Sequence, residues 1–367
     1  MSPAASTLAS LMPHAASEWL GDQSTWLLFL FAVVAMAVVI KGADWLVEGA
    51  AGIAKKFGMP EVVVGATIVS LGTTSPEAAV SVLAAFSGDA GLAIGNGVGS
   101  IIADTGLIFG AACLLTRLPA DRFVLSRQGW VQFGSAVILS GLCYFLWATH
   151  GSDATIERWA GALFTLMLIG YLAISIKWAK KHPSGEPHVV VEPDGSVHTE
   201  LESHPERGLG LLLGMGIGGL ALVIGSGDVL VSSVTIVAER VGIPDAVIAS
   251  TIVALGTSLP ELVTGITAIR KGHPELLVGN VIGADILNVL FVIGVSALAA
   301  PLPLIDPHAA MPAFIMLVMI PTMLVMLLFF RGCIFSAAGK GHFSRWMGVP
   351  LVAMYATYLV VSYAVSV

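Results

Sequence analysis

A chain of 367 residues, 56% of them hydrophobic and only 11% charged, does not carry enough charge to coat a water-soluble globule, which needs about a quarter of its residues charged. A soluble fold is therefore excluded and a polytopic membrane protein expected. The net charge of −7 decides little, because in a membrane protein the side on which charges fall matters more than their sum.

Apolar runs bounded by polar or Gly/Pro breaks predict ten spans of roughly the 20 residues that cross a bilayer as a helix. They fall near 26–50, 61–87, 91–116, 130–149, 157–178, 209–235, 245–269, 275–300, 311–331 and 346–366. Residues 1–24 lack the basic start and apolar core of a cleaved signal, so the first span is expected to direct its own insertion. With the N-terminus outside, fourteen Lys and Arg, from Lys55 to Arg345, fall on inside loops against Arg158 and Arg240 outside. Basic loops stay in the cytoplasm, which puts residues 1–25 and the C-terminus on the extracytoplasmic side. Cys113, Cys143 and Cys333 lie in or beside apolar runs without metal or disulfide spacing, and read as packing residues.

One long polar stretch, His182 to Gly208, separates residues 26–181 from 209–367. Its histidines (His182, His188, His198, His204) are spaced too irregularly for a metal site, and its composition is that of a solvated cytoplasmic linker. Val189 to Val191 ahead of Pro193-Asp194-Gly195 predicts a small hairpin.

The two flanking segments repeat each other. TIVSLGTTSPE (Thr67–Glu77) returns as TIVALGTSLPE (Thr251–Glu261), and GNGVGSIIAD (Gly95–Asp104) as GNVIGADILN (Gly279–Asn288), always displaced by 184 residues. A constant displacement across two motifs and their spacer marks an internal duplication. Five spans in each copy, an odd number, insert the second copy upside down. Inverted repeats with broken helices at matching positions characterise transporters with a midplane site.

Glu77 and Glu261 lie in otherwise apolar sequence, and an intramembrane carboxylate costs several kcal/mol unless partnered. No Lys or Arg lies in the matching helices, so a bound cation is the simplest partner. Pro76 and Pro260 supply no N–H, and with Gly72 and Gly256 they open the preceding turn and release carbonyl oxygens. Thr73, Thr74, Thr257 and Ser258 add hydroxyls. An oxygen-only set suits Ca2+ or Na+ rather than zinc or copper. In the second motif Ser100 and Asp104 share one helix face, with Ala284 and Asn288 as their repeat partners. Gly95, Gly99, Gly279 and Gly283 allow close helix packing, and Asn96 and Asn280 either brace a neighbouring backbone or ligate directly.

Two inverted copies of a TSLPE-like motif, each followed by GN-x-x-G, resemble the alpha repeats of the cation/Ca2+ exchanger superfamily, specifically its prokaryotic Na+/Ca2+ exchanger branch. The resemblance covers most of the chain outside the linker and the extreme N-terminus. It implies a Ca2+ site built on Glu77 and Glu261 with carbonyls of Thr73 and Thr257. It implies flanking Na+ sites using Ser70, Thr73, Ser100 and Ser258 toward one side, and Thr74, Ala254 and Thr257 toward the other. Asp104 and Asn288 match the family's central Asp/Asn pair, the aspartate staying protonated during exchange. The first and sixth spans resemble a mobile gating pair. Three departures stand out: Ala284 in place of serine, Asp285 in place of asparagine, and the central aspartate on the first repeat. Asp285 either replaces the missing oxygen or turns to a neighbouring helix.

The expected protein is an all-α antiporter in a prokaryotic inner membrane, a monomer with no cofactor, no enzymatic activity and no nucleic-acid partner. It exchanges Ca2+ for Na+ by alternating access. A Ca2+/H+ exchanger on the same fold and a cation channel are the competing readings.

Overall fold

The computed structural model describes residues 19–181, 189–191, 197–199, 207–241, 256, 258–305 and 313–366. Among them eight helices are long and apolar enough to cross a membrane, and a pair bent by 42° makes a ninth span. They are α1 (Thr25–Phe57), the bent pair α2 (Glu61–Thr73) and α3 (Ser75–Phe86), α4 (Ala90–Leu115), α5 (Arg122–His150), α6 (Arg158–Lys181), α7 (Leu209–Arg240), α9 (Pro274–Ala299), α10 (Ile315–Ala338) and α11 (Gly348–Ser366). The shorter α8 (Leu259–Arg270) is the second half of the expected seventh span, whose first half lies outside the described residues. The chain is an all-α polytopic membrane protein.

Four short strands join the loops: β1 (Thr155–Ile156), β2 (Val189–Val191), β3 (Val197–Thr199) and β4 (Leu302–Pro303). The expected linker hairpin forms, with Val189 opposite Thr199. The other loop contacts display the duplication. Ala120 N–H donates to the Gly341 carbonyl at 2.9 Å, and Leu304 N–H donates to the Ala154 carbonyl at 2.8 Å. Leu304 is Ala120 displaced by 184, and Gly341 is Ala154 displaced by 187, three residues having been gained between the two loops. One contact is thus made twice, at opposite ends of α5, as two inverted repeats require. Beside these bonds β1 pairs antiparallel with β4, and Pro119 bridges His342.

Two helix ends differ from expectation. α5 begins at Arg122 rather than near 130, drawing Arg122 and Arg127 from the expected loop onto the helix. Arg331, expected at a loop, lies within α10 and is only 5% exposed. Its guanidinium stands 4.3 Å from the Trp130 ring and 4.7 Å from that of Phe335, and aromatic faces of this kind stabilise a desolvated cation.

Glycines set two close helix crossings. A Cβ added to Gly49 of α1 would meet Gly216 N of α7 at 2.7 Å, and one on Gly42 would meet the Gly219 carbonyl at 2.9 Å. The outer faces of this pair, including Val33, Val34, Leu211 and Ile217, are exposed. In the interior, Gly65 of α2 faces the Leu276 carbonyl of α9, Gly279 faces Val62, and Gly283 faces Ala66 and Ser70. Backbone therefore lies on backbone where α9 crosses α2, because small residues leave van der Waals contact as the packing force inside a membrane.

Candidate cation site

The bend between α2 and α3 falls at Thr74 (φ −83°, ψ −5°), and its repeat counterpart Ser258 has φ −89° and ψ 10°. Pro76 and Pro260 follow in the first turn of α3 and α8, where a missing N–H is tolerated. Each glutamate therefore stands in the first turn of a half-helix, at the end whose dipole favours an anion.

Glu77 and Glu261 are each only 1% exposed. Glu261 Oε1 accepts from Thr74 Oγ1 at 3.4 Å, so the hinge of one repeat touches the carboxyl of the other. Thr73 Oγ1 lies 3.3 Å from Asn280 Oδ1 and 3.4 Å from the Ser70 carbonyl. Oε2 of both glutamates is buried without a hydrogen-bond partner among the described residues. Glu77 lies within electrostatic reach of Glu261 and Asp104, and Asp104 within reach of Glu261 and Asp285. No three His, Cys, Asp or Glu side chains among the described residues converge as a metal cluster. The donor set is two carboxylates supplemented by neutral oxygens, which fits a hard, adaptable cation such as Ca2+ or Na+.

The second motif surrounds this pair. Asn96 Nδ2 donates to the Glu77 carbonyl at 3.1 Å and to Ser81 Oγ at 2.9 Å, while Asn280 takes the Thr73 hydroxyl. Both asparagines brace the opened helix. Ser70, Ser100 and Ser258 are all buried, and Ser258 Oγ has no partner among the described residues. Thr257 and Ala254 lie outside the described residues.

Asp285 turns toward neighbouring helices: its Oδ2 accepts from Thr105 Oγ1 and from Gln132 Nε2, each at 2.5 Å. Neither Thr105 nor Gln132 was singled out from sequence, Gln132 because it lies in a span with no duplicated motif. A second unforeseen feature is a pair of π-helical turns, Asp104–Phe109 and Asn288–Ile293, displaced by 184. Such widened turns gather at functional sites, and the central Asp/Asn pair opens both.

The family described as sodium/calcium exchanger protein matches residues 27–177 and 211–364. The sodium/calcium exchanger MaX1 of Methanosarcina acetivorans is 32% identical over 360 residues, covering 91% of this chain and 97% of that protein. The inner membrane protein YrbG of Escherichia coli is 29% identical over 336 residues, 91% of this chain and 96% of its own. A solved structure of the sodium-calcium exchanger NCX_Mj, soaked with Na+ and Sr2+, superposes with a TM-score of 0.72 at 25% identity, covering 92% of this chain and 99% of that one. The chain belongs to the sodium/calcium exchanger protein family, whose members are transporters and not enzymes.

Proposed function

We propose that the chain exchanges Ca2+ for Na+ by alternating access at a midplane site formed by Glu77 and Glu261. The observation carrying this reading is that two buried carboxyls, one from each repeat, lie within electrostatic reach of one another, each with one oxygen unpartnered among the described residues. Two ionised glutamates carry a charge that one Ca2+ cancels, and Na+ ions replace it at overlapping oxygens. Ser70, Thr73, Thr74, Ser100 and Ser258 complete both ligand sets, with Thr257 and Ala254 as further candidates. Asp104 and Asn288, both buried, set the field at these oxygens. Because Na+ and Ca2+ exclude one another, a site open alternately to each side couples two gradients without contact between the ions.

Residues 26–181 and 209–367 act as the two repeats, joined on the cytoplasmic side by 182–208, with residues 1–25 and the C-terminus outside. The glycine-lined pair α1 and α7, whose outer faces are free of the core, is the moving element. The transporter works as a monomer in a prokaryotic plasma membrane.

Purified protein in liposomes should take up Ca2+ against an imposed Na+ gradient and not against a proton gradient alone. Uptake driven by protons without Na+ would reassign it as a Ca2+/H+ exchanger. Ca2+ flux that needs no counter-ion would make it a channel.

A further inference from the structure

Helices α1 and α7 are bonded to each other at both ends. Arg207 Nη1, just ahead of α7, lies 2.7 Å from Glu48 Oε2 on α1. At the far end Arg240 of α7 donates to the Gly21 carbonyl at 2.6 Å and to Thr25 Oγ1 at 3.2 Å. Lys271 joins this pair to the core. Its Nζ lies 2.7 Å from Glu48 Oε1 and 3.5 Å from Asp44 Oδ1, two acids one turn apart on α1. Lys271 itself is fixed to the core, since its N–H donates to the Thr267 carbonyl of α8 at 3.0 Å. Gly272 (φ 80°) turns the chain sharply behind it, and His273 Nδ1 stands 2.8 Å from Glu61 Oε1 at the start of α2.

These bonds stand at the mouth of a seam that leads toward Glu261. Val47, between Asp44 and Glu48 in sequence, lines a gap between α1, α2, α8 and α9 together with Thr264, Ala268 and Asn280. Thr264 follows Glu261 by three residues and Ala268 precedes Lys271 by three, so the seam runs along the roughly 15 Å of α8 that separate the glutamate from the lysine. It is too narrow for a water. Thr264 Oγ1 and Asn280 Nδ2 are nevertheless buried without a partner among the described residues, and polar groups left dry in an apolar seam gain partners when it opens to water. We propose that Lys271 is a positioning residue that latches α1 to the core and holds this seam, the cytoplasmic approach to Glu261, closed. The latch rests on the alternating-access reading and on its placement of residues 270–273 in the cytoplasm. The Lys271 and Glu48 side chains are 27% and 33% exposed, so water replaces the pair at modest cost, as a gate that opens in every cycle requires. On the opposite face the residues displaced by 184 from Lys271 and Glu48 are Ser87 and Ser232, both uncharged. The bridge therefore has no counterpart there, and it biases the resting protein toward the state open to the outside.

The experiment places a reporter in the seam, Ala268→Cys, and labels it in inside-out vesicles with a membrane-impermeant anionic methanethiosulfonate, in choline chloride without Na+ or Ca2+. Cys113, Cys143 and Cys333 are buried, and the protein without Ala268→Cys supplies their background rate. Adding Lys271→Gln should raise the labelling rate about fivefold, although losing a cation would by itself slow an anionic reagent. Lys271→Arg should keep the slow rate. Arg207→Gln, which loosens α7 from α1 and leaves Lys271 in place, should not raise it. Raising the salt from about 20 to about 500 mM should quicken labelling in the Ala268→Cys parent and not in Lys271→Gln, because half-exposed charges are screened. Thr264→Cys is the reporter if Ala268→Cys does not fold. Labelling that stays slow with Lys271→Gln, or that Arg207→Gln quickens as much, overturns the latch. Na+-driven Ca2+ exchange that fails while the labelling pattern holds would instead sink the exchange reading alone.

Discussion

In the first repeat the bend falls at Thr74, the glutamate three residues on, and the π-turn at Asp104; in the second, Ser258, Glu261 and the π-turn at Asn288 stand at the matching positions, all displaced by 184. Around this shared backbone the side chains diverge. Ser100 becomes Ala284, Ile101 becomes Asp285, and Asp104 becomes Asn288. Each half nevertheless brings two carboxyls into the interior, Glu77 with Asp104 and Glu261 with Asp285. Glycine and proline fix where the helices open, and those positions are retained in both copies. The charges are carried by residues that can move along the helix without disturbing the opening.

Removing one of the paired glutamates breaks the equivalence most directly. Glu77→Gln or Glu261→Gln, assayed as Ca2+ uptake into inside-out vesicles, should each lower transport by about a hundredfold or more, since half of the charge facing Ca2+ is lost. Undiminished uptake in either variant would show that the two halves do not share one ion. A smaller effect tests the backbone contact that both halves depend on. A methyl at Gly279 would overlap the Val62 carbonyl, whereas one at Gly214 meets nothing within 4 Å among the described residues. Gly279→Ala should destabilise the protein by about 2 kcal/mol and Gly214→Ala should not, as read from thermal unfolding in detergent.

The comparison can also be sharpened by moving a charge from one repeat to the other. Asp104→Asn alone should slow exchange about tenfold by removing a carboxyl from the centre. Adding Asn288→Asp returns one acid and one amide to the two π-turns and should bring the rate back within about threefold. If the double variant is no faster than the single one, the two turns are not interchangeable despite their matching geometry.

Much of this arrangement was legible in the residues. The displacement of 184 located the broken helix at Thr74 and both glutamates, because a proline after an opened glycine turn leaves little choice of backbone. For Asn96 the sequence left bracing and ligation open, and its bonds to the Glu77 carbonyl and Ser81 Oγ show that it braces the opened turn. What the sequence did not display depends on side chains meeting from spans outside the motifs. Gln132 reaches Asp285 from α5, and Arg331 is retained within α10 by Trp130 and Phe335. Neither pairing leaves a period or a spacing in the chain. The π-turns were equally silent, since one extra residue per turn changes hydrogen bonding without changing composition.

The smallest expected difference lies at the loops that start α4 and α9. Asp89 caps α4 by accepting from Leu92 N–H at 2.9 Å, whereas its counterpart His273 makes no cap bond to α9 and instead places Nδ1 2.8 Å from Glu61 Oε1. The hydrogen bond to Glu61 raises the pKa of His273, with burial opposing and the nearby Glu275 and Lys271 acting in opposite directions. A raised pKa means the pair stabilises the fold fully below the ordinary histidine value of about 6.5 and loses that contribution as pH climbs through the raised one. The side chains are 32% and 27% exposed, so solvent screening keeps the contribution small. His273→Gln should therefore cost about 0.5 kcal/mol near pH 6 and almost nothing near pH 9, measured as the difference in thermal unfolding between variant and parent. A difference that grew with pH would mean that the neutral imidazole makes the contact, and the divergence from Asp89 would then be an exchange of one uncharged tether for another rather than a pH-sensitive tie confined to one face.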